Sequence, residues 1–292
     1  MNISGIIPAL ITPFNDNYEV NYEALKELVE KLIADGASGF YACGSTAECF
    51  LMNEDERKKV LETVIKVTND RVPVIAHIGN IGSEKTCELA RHAREVGAAA
   101  VSSVPPFYYK FGFDEIVSYY ADIAKAVPEL PLIVYNIPMF AGVEINADNL
   151  KAIVDASGAK GLKYTAYNLY ELDKISRRYP DMKLFCGHDE IFSNALPIGI
   201  DGAIGSTFNV MTPKFVELDK QYKSGNQAAV EKLQREVNEL IEVMIKVGVN
   251  SSIKYLLTKS GISCGDCRRP FAKVNEEQAK CLDAIYSRVF DK

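Results

Sequence analysis

The 292-residue sequence contains no tryptophan, only three histidines and no long run of apolar residues. A membrane-spanning helix needs roughly 18 consecutive, mostly apolar residues, so we predict no transmembrane segment. No block of lysine and arginine occurs and the net charge is −6, which argues against nucleic acid or an anionic membrane as a partner. Residues 1–5 show no basic stretch followed by an apolar one, so we expect no signal peptide.

The seven cysteines are scattered and odd in number, which is typical of reduced thiols in the cytoplasm and predicts a cytoplasmic protein. Cys264 and Cys267 form a single Cys-x-x-Cys pair, a weak signal for zinc without a second pair or nearby histidines. His77, His92 and His188 offer little material for a metal centre. We therefore predict no metal and no other cofactor.

The dominant pattern is an alternation of short apolar runs and amphipathic helices. Eight strand–helix units of roughly 25 to 30 residues each predict an α/β fold, a (β/α)8 TIM barrel over residues 1–224. An open, doubly wound sheet is the alternative, but residues 13–16 (Pro-Phe-Asn-Asp) are not the glycine-rich phosphate turn that such a sheet usually carries. Residues 225–292 have a helical pattern and predict a C-terminal extension of three helices.

Lys163 ends the short apolar run 161–163, the sixth predicted strand. Burying an unpaired ammonium group is costly, so this side chain needs a partner or a function. One interpretation is a salt bridge, or a long side chain that reaches solvent. The other is an amine whose pKa is lowered by desolvation, so that it attacks a carbonyl group and forms a Schiff base. Active sites of such barrels lie at the C-terminal ends of the strands, which favours the second interpretation.

Other polar side chains follow the predicted strands, and each has a structural and a functional interpretation. Ser45 and Thr46 either belong to a plain turn or hold a carboxylate with hydroxyl and N–H groups. Tyr135 is either an ordinary strand aromatic or a general acid–base. Asp189 and Glu190 either favour a helix N-terminus or accept hydrogen bonds from a polyhydroxylated substrate.

The combination of these groups decides the interpretation. A lysine, a tyrosine and a hydroxyl-rich turn on neighbouring strands predict a Schiff-base site for an α-keto acid. The turn would hold the carboxylate, Lys163 would attack the keto carbon, and Tyr135 would move a proton as a carbon–carbon bond breaks or forms. Ser206, after the eighth predicted strand, either joins this site or only packs closely at a turn.

Four motifs resemble the pyruvate-dependent Schiff-base aldolases, the family of N-acetylneuraminate lyase and dihydrodipicolinate synthase. The resemblance covers essentially the whole chain, and its motifs are 44–48 (Gly-Ser-Thr-Ala-Glu), 135–138 (Tyr-Asn-Ile-Pro), 161–163 (Gly-Leu-Lys) and 205–209 (Gly-Ser-Thr-Phe-Asn). It implies a homotetramer in which Lys163 is the Schiff-base lysine and Tyr135 the catalytic tyrosine. It also implies substrate-binding roles for eight residues: Ser45, Thr46, Tyr108, Thr165, Gly187, Asp189, Glu190 and Ser206.

Within these eight, the resemblance implies that Ser45 and Thr46 contact the pyruvate carboxylate. Tyr108 corresponds to a tyrosine that lies at a subunit contact near the site in relatives. The other five match positions that hold the sugar in the lyase branch.

Phe140 favours the lyase branch of this family. The synthase branch places an arginine there, two residues beyond the proline of Tyr-Asn-x-Pro. The lyase branch cleaves sialic acid reversibly into N-acetylmannosamine and pyruvate by a retro-aldol reaction. The alternatives are dihydrodipicolinate synthase, another keto-deoxy sugar acid aldolase, or a catalytically silent barrel that senses a keto acid.

Two positions depart from the family pattern. Ala47 replaces a usual glycine and would be strained at positive φ, so we expect it to adopt a helical conformation instead. His188 occupies a variable position to which the sequence assigns no role.

Overall fold

The computed structural model describes residues 2–290, and within this range eight parallel strands form one sheet. The strands are β1 Gly5–Pro8, β2 Phe40–Ala42, β3 Val74–His77, β4 Ala100–Ser103, β5 Leu132–Asn136, β6 Gly161–Tyr164, β7 Lys183–Cys186 and β8 Gly202–Gly205. In sheet order they run β1-β8-β7-β6-β5-β4-β3-β2. The end strands meet at a parallel bridge between Ala9 and Tyr41, and the Leu10 N–H donates to the Tyr41 carbonyl at 3.0 Å. The sheet therefore closes, which confirms the predicted (β/α)8 barrel.

Helices alternate with these strands and continue beyond them. None of the helices within the described part of the chain is both long and apolar enough to cross a lipid bilayer. The α-helices are α1 Tyr22–Ala34, α2 Glu54–Thr68, α3 Ser83–Glu95, α4 Phe113–Ala126, α5 Pro138–Ala141, α6 Leu150–Ser157, α7 Leu169–Arg178, α8 Phe192–Ala195, α9 Phe208–Lys223, α10 Gln227–Val247, α11 Val249–Lys259 and α12 Glu276–Phe290.

Local sequence explains where several of these helices begin. Asn53 and Glu56 form a capping box at α2, because each side chain accepts a hydrogen bond from the other's backbone N–H at 2.9 Å. Helix α9 begins at Phe208, but Met211 within it has non-helical angles (φ −127°, ψ 16°). Proline at 213 lacks an N–H and crowds the preceding turn, so the helix is kinked there.

The strands lie between two apolar clusters, one outside and one inside the barrel. Leu162 and Tyr164 of β6 belong to the larger core between barrel and helices, whereas Tyr135 and Phe185 belong to the cluster inside the barrel. Lys163 is paired in register with Tyr135 on one side and with Phe185 on the other. Because side chains alternate along a strand, Lys163 points into the barrel.

Of the three C-terminal helices, α10 and α11 pack on α9 of the barrel, and α12 packs mainly on α10 and α11. Val230, Val237, Leu240 and Met244 of α10 are buried. The predicted boundary between residues 224 and 225 falls in the turn between α9 and α10, and the division into two units stays a prediction.

Candidate active site

Lys163 lies buried inside the barrel between two tyrosine rings, with 5% of its surface exposed. Its Nζ is 4.0 Å from the ring centroid of Tyr135 and 4.4 Å from that of Tyr41. Burial lowers the pKa of the amine to about 7, and the charge of Asp189 limits this shift. At neutral pH a large fraction of Lys163 is thus uncharged, as a nucleophilic amine requires.

Tyr135 holds its phenol beside Lys163 on the neighbouring strand. Burial raises the pKa of Tyr135 to about 12, although the nearby side chains of Thr165 and Ser45 oppose the shift. The phenol is therefore protonated at neutral pH. Thr165 Oγ1 is buried and makes no hydrogen bond of good geometry in the described chain, so its hydroxyl is available to a ligand.

The turn after β2 presents Ser45 and Thr46 at the same end of the barrel. It is one turn of 3₁₀-helix, Ser45–Ala47, preceded by Gly44. A Cβ at Gly44 would lie 2.7 Å from the Tyr41 ring, so only glycine fits this close approach. The helical conformation of Ala47 confirms the expectation for that residue, and the left-handed residue is its neighbour Glu48, at φ 59°.

Thr46 and Ser206 link the turn after β2 to the turn after β8. The Thr46 Oγ1 and Ser206 Oγ atoms are 2.6 Å apart, a distance at which either hydroxyl can donate to the other. This contact brings Ser206 to the hydroxyl-rich side of the barrel mouth.

Asp189 is buried after β7, with 5% of its surface exposed. Its Oδ2 accepts hydrogen bonds from the Thr207 N–H at 2.8 Å and the Thr207 hydroxyl at 2.7 Å. Burial raises the pKa of Asp189 to about 6, although these two bonds oppose the shift. Oδ1 is buried without a hydrogen-bond partner among residues 2–290, so it can accept one from a ligand.

Two glycines make room for the polar groups at this end. A Cβ at Gly187 would lie 1.9 Å from Thr165 Oγ1, and a Cβ at Gly205 would lie 2.0 Å from Asp189 Oδ1. Larger residues would displace the hydroxyl and the carboxylate. Gly187 therefore contributes room for the Thr165 hydroxyl rather than a side chain of its own.

Glu190 is partly buried, and its carboxylate contacts the polar atoms of two aromatic side chains, Tyr167 and His188. Its Oε1 accepts from the Tyr167 hydroxyl at 2.7 Å and lies 3.2 Å from His188 Nδ1. Burial alone would raise the pKa of Glu190, but the bonds from His188 and Tyr167 outweigh it and lower the pKa to about 2. The carboxylate is thus ionised throughout the physiological range.

Comparison with known proteins agrees with this geometry. The model of the dihydrodipicolinate synthetase family matches residues 2–288. The chain belongs to the dihydrodipicolinate synthetase family. It is 38% identical to N-acetylneuraminate lyase of Citrobacter koseri over 292 residues, covering 100% of this chain and 98% of the relative.

Solved structures of this family are also similar. CdNal from Clostridium difficile, solved in complex with mannosamine, superposes with a TM-score of 0.96 at 32% identity, covering 99% of this chain and 100% of that one. N-acetylneuraminate lyase from Fusobacterium nucleatum gives a TM-score of 0.93 at 32% identity, covering 98% and 99% of the two chains.

Among the predicted site residues, Tyr108 is the one that lies away from the others within the single chain. It is 84% exposed, with φ 76°, and its ring packs edge-on against Tyr109 at 5.1 Å. The preceding Phe107 contacts Phe50 instead, with ring centroids 4.6 Å apart. A role for Tyr108 at a subunit contact stays a prediction.

The sequence interpretation missed Tyr41, His77 and Tyr167. Tyr41 faces Lys163, and strand alternation could have shown it, because Phe40 faces the outer core. His77 is buried, with its Nδ1 2.9 Å from the Cys43 carbonyl and its ring edge-on to Tyr135 at 6.1 Å. Nothing in the local pattern around Tyr167 indicates its bond to Glu190.

The C-terminal helices of this family member contact the site loops from behind. In α10, Gln234 Nε2 donates to the Asp189 carbonyl and Asn238 Nδ2 to the Glu190 carbonyl, both at 3.0 Å. In α11, Lys254 forms a buried ion pair with Glu48 at 2.6 Å. The extension thus supports both the turn with Ser45 and the loop with Asp189.

Proposed function

We propose that the protein is a Schiff-base aldolase that cleaves N-acetylneuraminate reversibly into N-acetylmannosamine and pyruvate. The observation that carries this proposal is Lys163, buried between Tyr135 and Tyr41 with a pKa lowered to about 7. The names of the similar proteins support the choice of substrate. We further propose that it acts in the cytoplasm as a homotetramer, on small molecules rather than nucleic acid or membranes, without metal or organic cofactor.

In the first step, the keto acid binds with its carboxylate at the turn of Ser45 and Thr46. There hydroxyl and N–H groups face the anion. The neutral amine of Lys163 attacks the keto carbon to give a carbinolamine. Tyr135 gives its proton to the departing hydroxyl, which leaves as water, and an iminium ion remains.

In the second step, the iminium ion acts as the electron sink for carbon–carbon cleavage. The hydroxyl next to the breaking bond loses its proton to Tyr135, which the side chains of Ser45 and Thr165 flank. The bond electrons move to the iminium and give an enamine, and the sugar aldehyde departs. Protonation of the enamine carbon and hydrolysis of the imine then release pyruvate and restore Lys163.

The polar groups beyond Lys163 suit a polyhydroxylated partner. Thr165 Oγ1 and Asp189 Oδ1 are buried without hydrogen-bond partners among the described residues. Glu190 adds an ionised carboxylate at the same loop. A sugar supplies the hydroxyl donors that these acceptors lack, and buried polar groups need such partners.

The alternative is dihydrodipicolinate synthase, which condenses pyruvate with aspartate semialdehyde, or another keto-deoxy sugar acid aldolase. Family membership fits this alternative as well. Phe140 weighs against the synthase, because it is apolar, 66% exposed and stands where that branch has an arginine for the second substrate's carboxylate.

A direct assay separates the two activities. We expect pyruvate release from N-acetylneuraminate, and no condensation of pyruvate with aspartate semialdehyde at the same enzyme concentration. Condensation with aspartate semialdehyde and no cleavage of N-acetylneuraminate would instead support the synthase activity. Pyruvate binding without turnover of either substrate would instead indicate a silent sensor.

A further inference from the structure

The rings of Tyr167 and His188 form a stacked pair at the mouth of the barrel. Their centroids are 4.2 Å apart and their planes differ by 12°. Tyr167 follows β6 and His188 follows β7, so the stack joins two neighbouring loops. His188 is largely covered, whereas Tyr167 is exposed.

Both rings place a polar atom within hydrogen-bond distance of the same oxygen of Glu190. The Tyr167 hydroxyl donates to Oε1 at 2.7 Å, and His188 Nδ1 lies 3.2 Å from Oε1, within donating distance in the tautomer with a proton there. Two donors on one oxygen fix the rotation of the carboxylate group. The other oxygen, Oε2, is thereby oriented by the pair without being used by either ring.

The backbone beneath Glu190 is held independently of these rings. Asn238 Nδ2 donates to the Glu190 carbonyl, and Gln234 Nε2 donates to the preceding carbonyl, both at 3.0 Å. Loss of a ring donor should therefore free the carboxylate to rotate without unfolding the loop. The pair acts on the direction of the side chain rather than on the position of the loop.

We propose that Tyr167 and His188 are positioning residues that orient Glu190 Oε2 toward the hydroxyl groups at the far end of the sugar acid. This inference rests on the proposed function, and it assigns His188 the role that the sequence left open. The pair should set selectivity for the length of the polyhydroxylated chain, because the distal hydroxyl groups that Glu190 would bind are present only on the longer acid. It should leave the keto-acid end, at Lys163, unaffected.

The test compares Tyr167→Phe and His188→Phe, which keep an aromatic ring and remove the donor, with the wild-type protein. Tyr170→Phe is the matched control, because Tyr170 is an exposed tyrosine on the adjacent helix α7 with no contact to Glu190 among the described residues. KM and kcat are measured for N-acetylneuraminate and for a six-carbon 2-keto-3-deoxy sugar acid without the distal glycerol chain. Borohydride trapping of pyruvate and thermal unfolding are measured in parallel.

For each donor variant we expect KM for N-acetylneuraminate to rise about tenfold, the effect of one charge-assisted hydrogen bond. We expect kcat to change less than about twofold, because the bond is made equally in the ground and transition states. KM for the short acid, pyruvate trapping and the melting temperature should stay at wild-type values, and Tyr170→Phe should change none of these quantities.

The following results would overturn the inference. If KM for both acids rises equally, or only the melting temperature falls, the pair has a purely structural role. If both KM values stay unchanged in an active enzyme, Glu190 needs no positioning. A wild-type protein that traps pyruvate but cleaves neither acid contradicts the proposed function itself and the inference with it.

Discussion

Lys254→Met tests whether the C-terminal extension maintains the Ser45–Ala47 turn, which we propose binds the substrate carboxylate. Lys254 in α11 and Glu48 after the Ser45–Ala47 turn are paired at 2.6 Å, with side-chain exposures of 1% and 0%. Lys254 Nζ also donates to the Asp266 carbonyl at 3.2 Å and lies 4.0 Å from the centroid of the Phe14 ring. Methionine keeps most of the side-chain length and removes the charge.

The size of the effect follows from burial. At 2.6 Å the Coulomb attraction is about 6 kcal/mol at an effective dielectric constant of 20, and desolvation of both ions offsets much of it. Removing one partner alone leaves the Glu48 charge uncompensated and destabilises the fold by about 3–5 kcal/mol. In a chain of this size we expect the melting temperature to fall by roughly 5–8 °C.

The turn itself should suffer as well. Glu48 is held at φ 59°, and its Oε2 accepts from the Arg268 N–H at 2.7 Å. Without the Lys254 charge, the buried Glu48 carboxylate is uncompensated and should move toward solvent. This movement would displace the neighbouring Ser45 and Thr46. We expect KM to rise roughly tenfold, equivalent to about 1.4 kcal/mol, with a smaller change in kcat.

Thermal unfolding followed by circular dichroism and steady-state pyruvate release measure these effects. Lys259→Met is the matched control, because Lys259 lies on the same helix and pairs with Asp283 at 2.6 Å but is 52% exposed. Such surface pairs contribute about 0–1 kcal/mol. The double variant Glu48→Gln with Lys254→Met should recover part of the lost stability. Equal melting temperatures for Lys254→Met and Lys259→Met would refute the reasoning.

Three further predictions concern the site. Tyr135→Phe should lower kcat about 10²- to 10⁴-fold, because proton transfer is lost in both steps. Borohydride should still trap pyruvate, but more slowly, because Lys163 is unchanged. An unchanged kcat in steady-state assays would remove Tyr135 from the mechanism. Gly187→Ala places a methyl group 1.9 Å from Thr165 Oγ1, so it should cost about 1–3 kcal/mol and reduce kcat/KM, and a wild-type melting curve and activity would disprove this. The rate of pyruvate trapping should rise with pH through about 7 and then level off, because neutral Lys163 is the reactive form; a rate still rising at about pH 10 would indicate an ordinary lysine.

Much of the fold and the central site could be predicted because they depend on local patterns. The alternation of apolar runs and helices gives the order of the barrel, and strand ends converge on one mouth. Lys163 and Tyr135 follow from that rule, and the structure pairs them in register on adjacent strands. The polar run after β7 identified Asp189 and Glu190 in the same way.

The missed features depend on contacts between distant parts of the chain. The ion pair of Lys254 and Glu48 joins α11 to the turn after β2. The local sequence around either residue does not indicate that the other is its partner. The bond from Tyr167 to Glu190 crosses between two loops. Tertiary packing decides these contacts, and sequence periodicity carries no information about them.

The central claim is that Lys163 forms a Schiff base, and reductive trapping tests it most directly. The protein is incubated with pyruvate and borohydride, digested, and examined by peptide mass spectrometry, with Lys163→Met as the control. We predict one reduced pyruvate adduct, on Lys163 of the wild-type protein, and none on the variant. An unmodified Lys163 after this treatment, or an equal adduct on the variant, would contradict the mechanism.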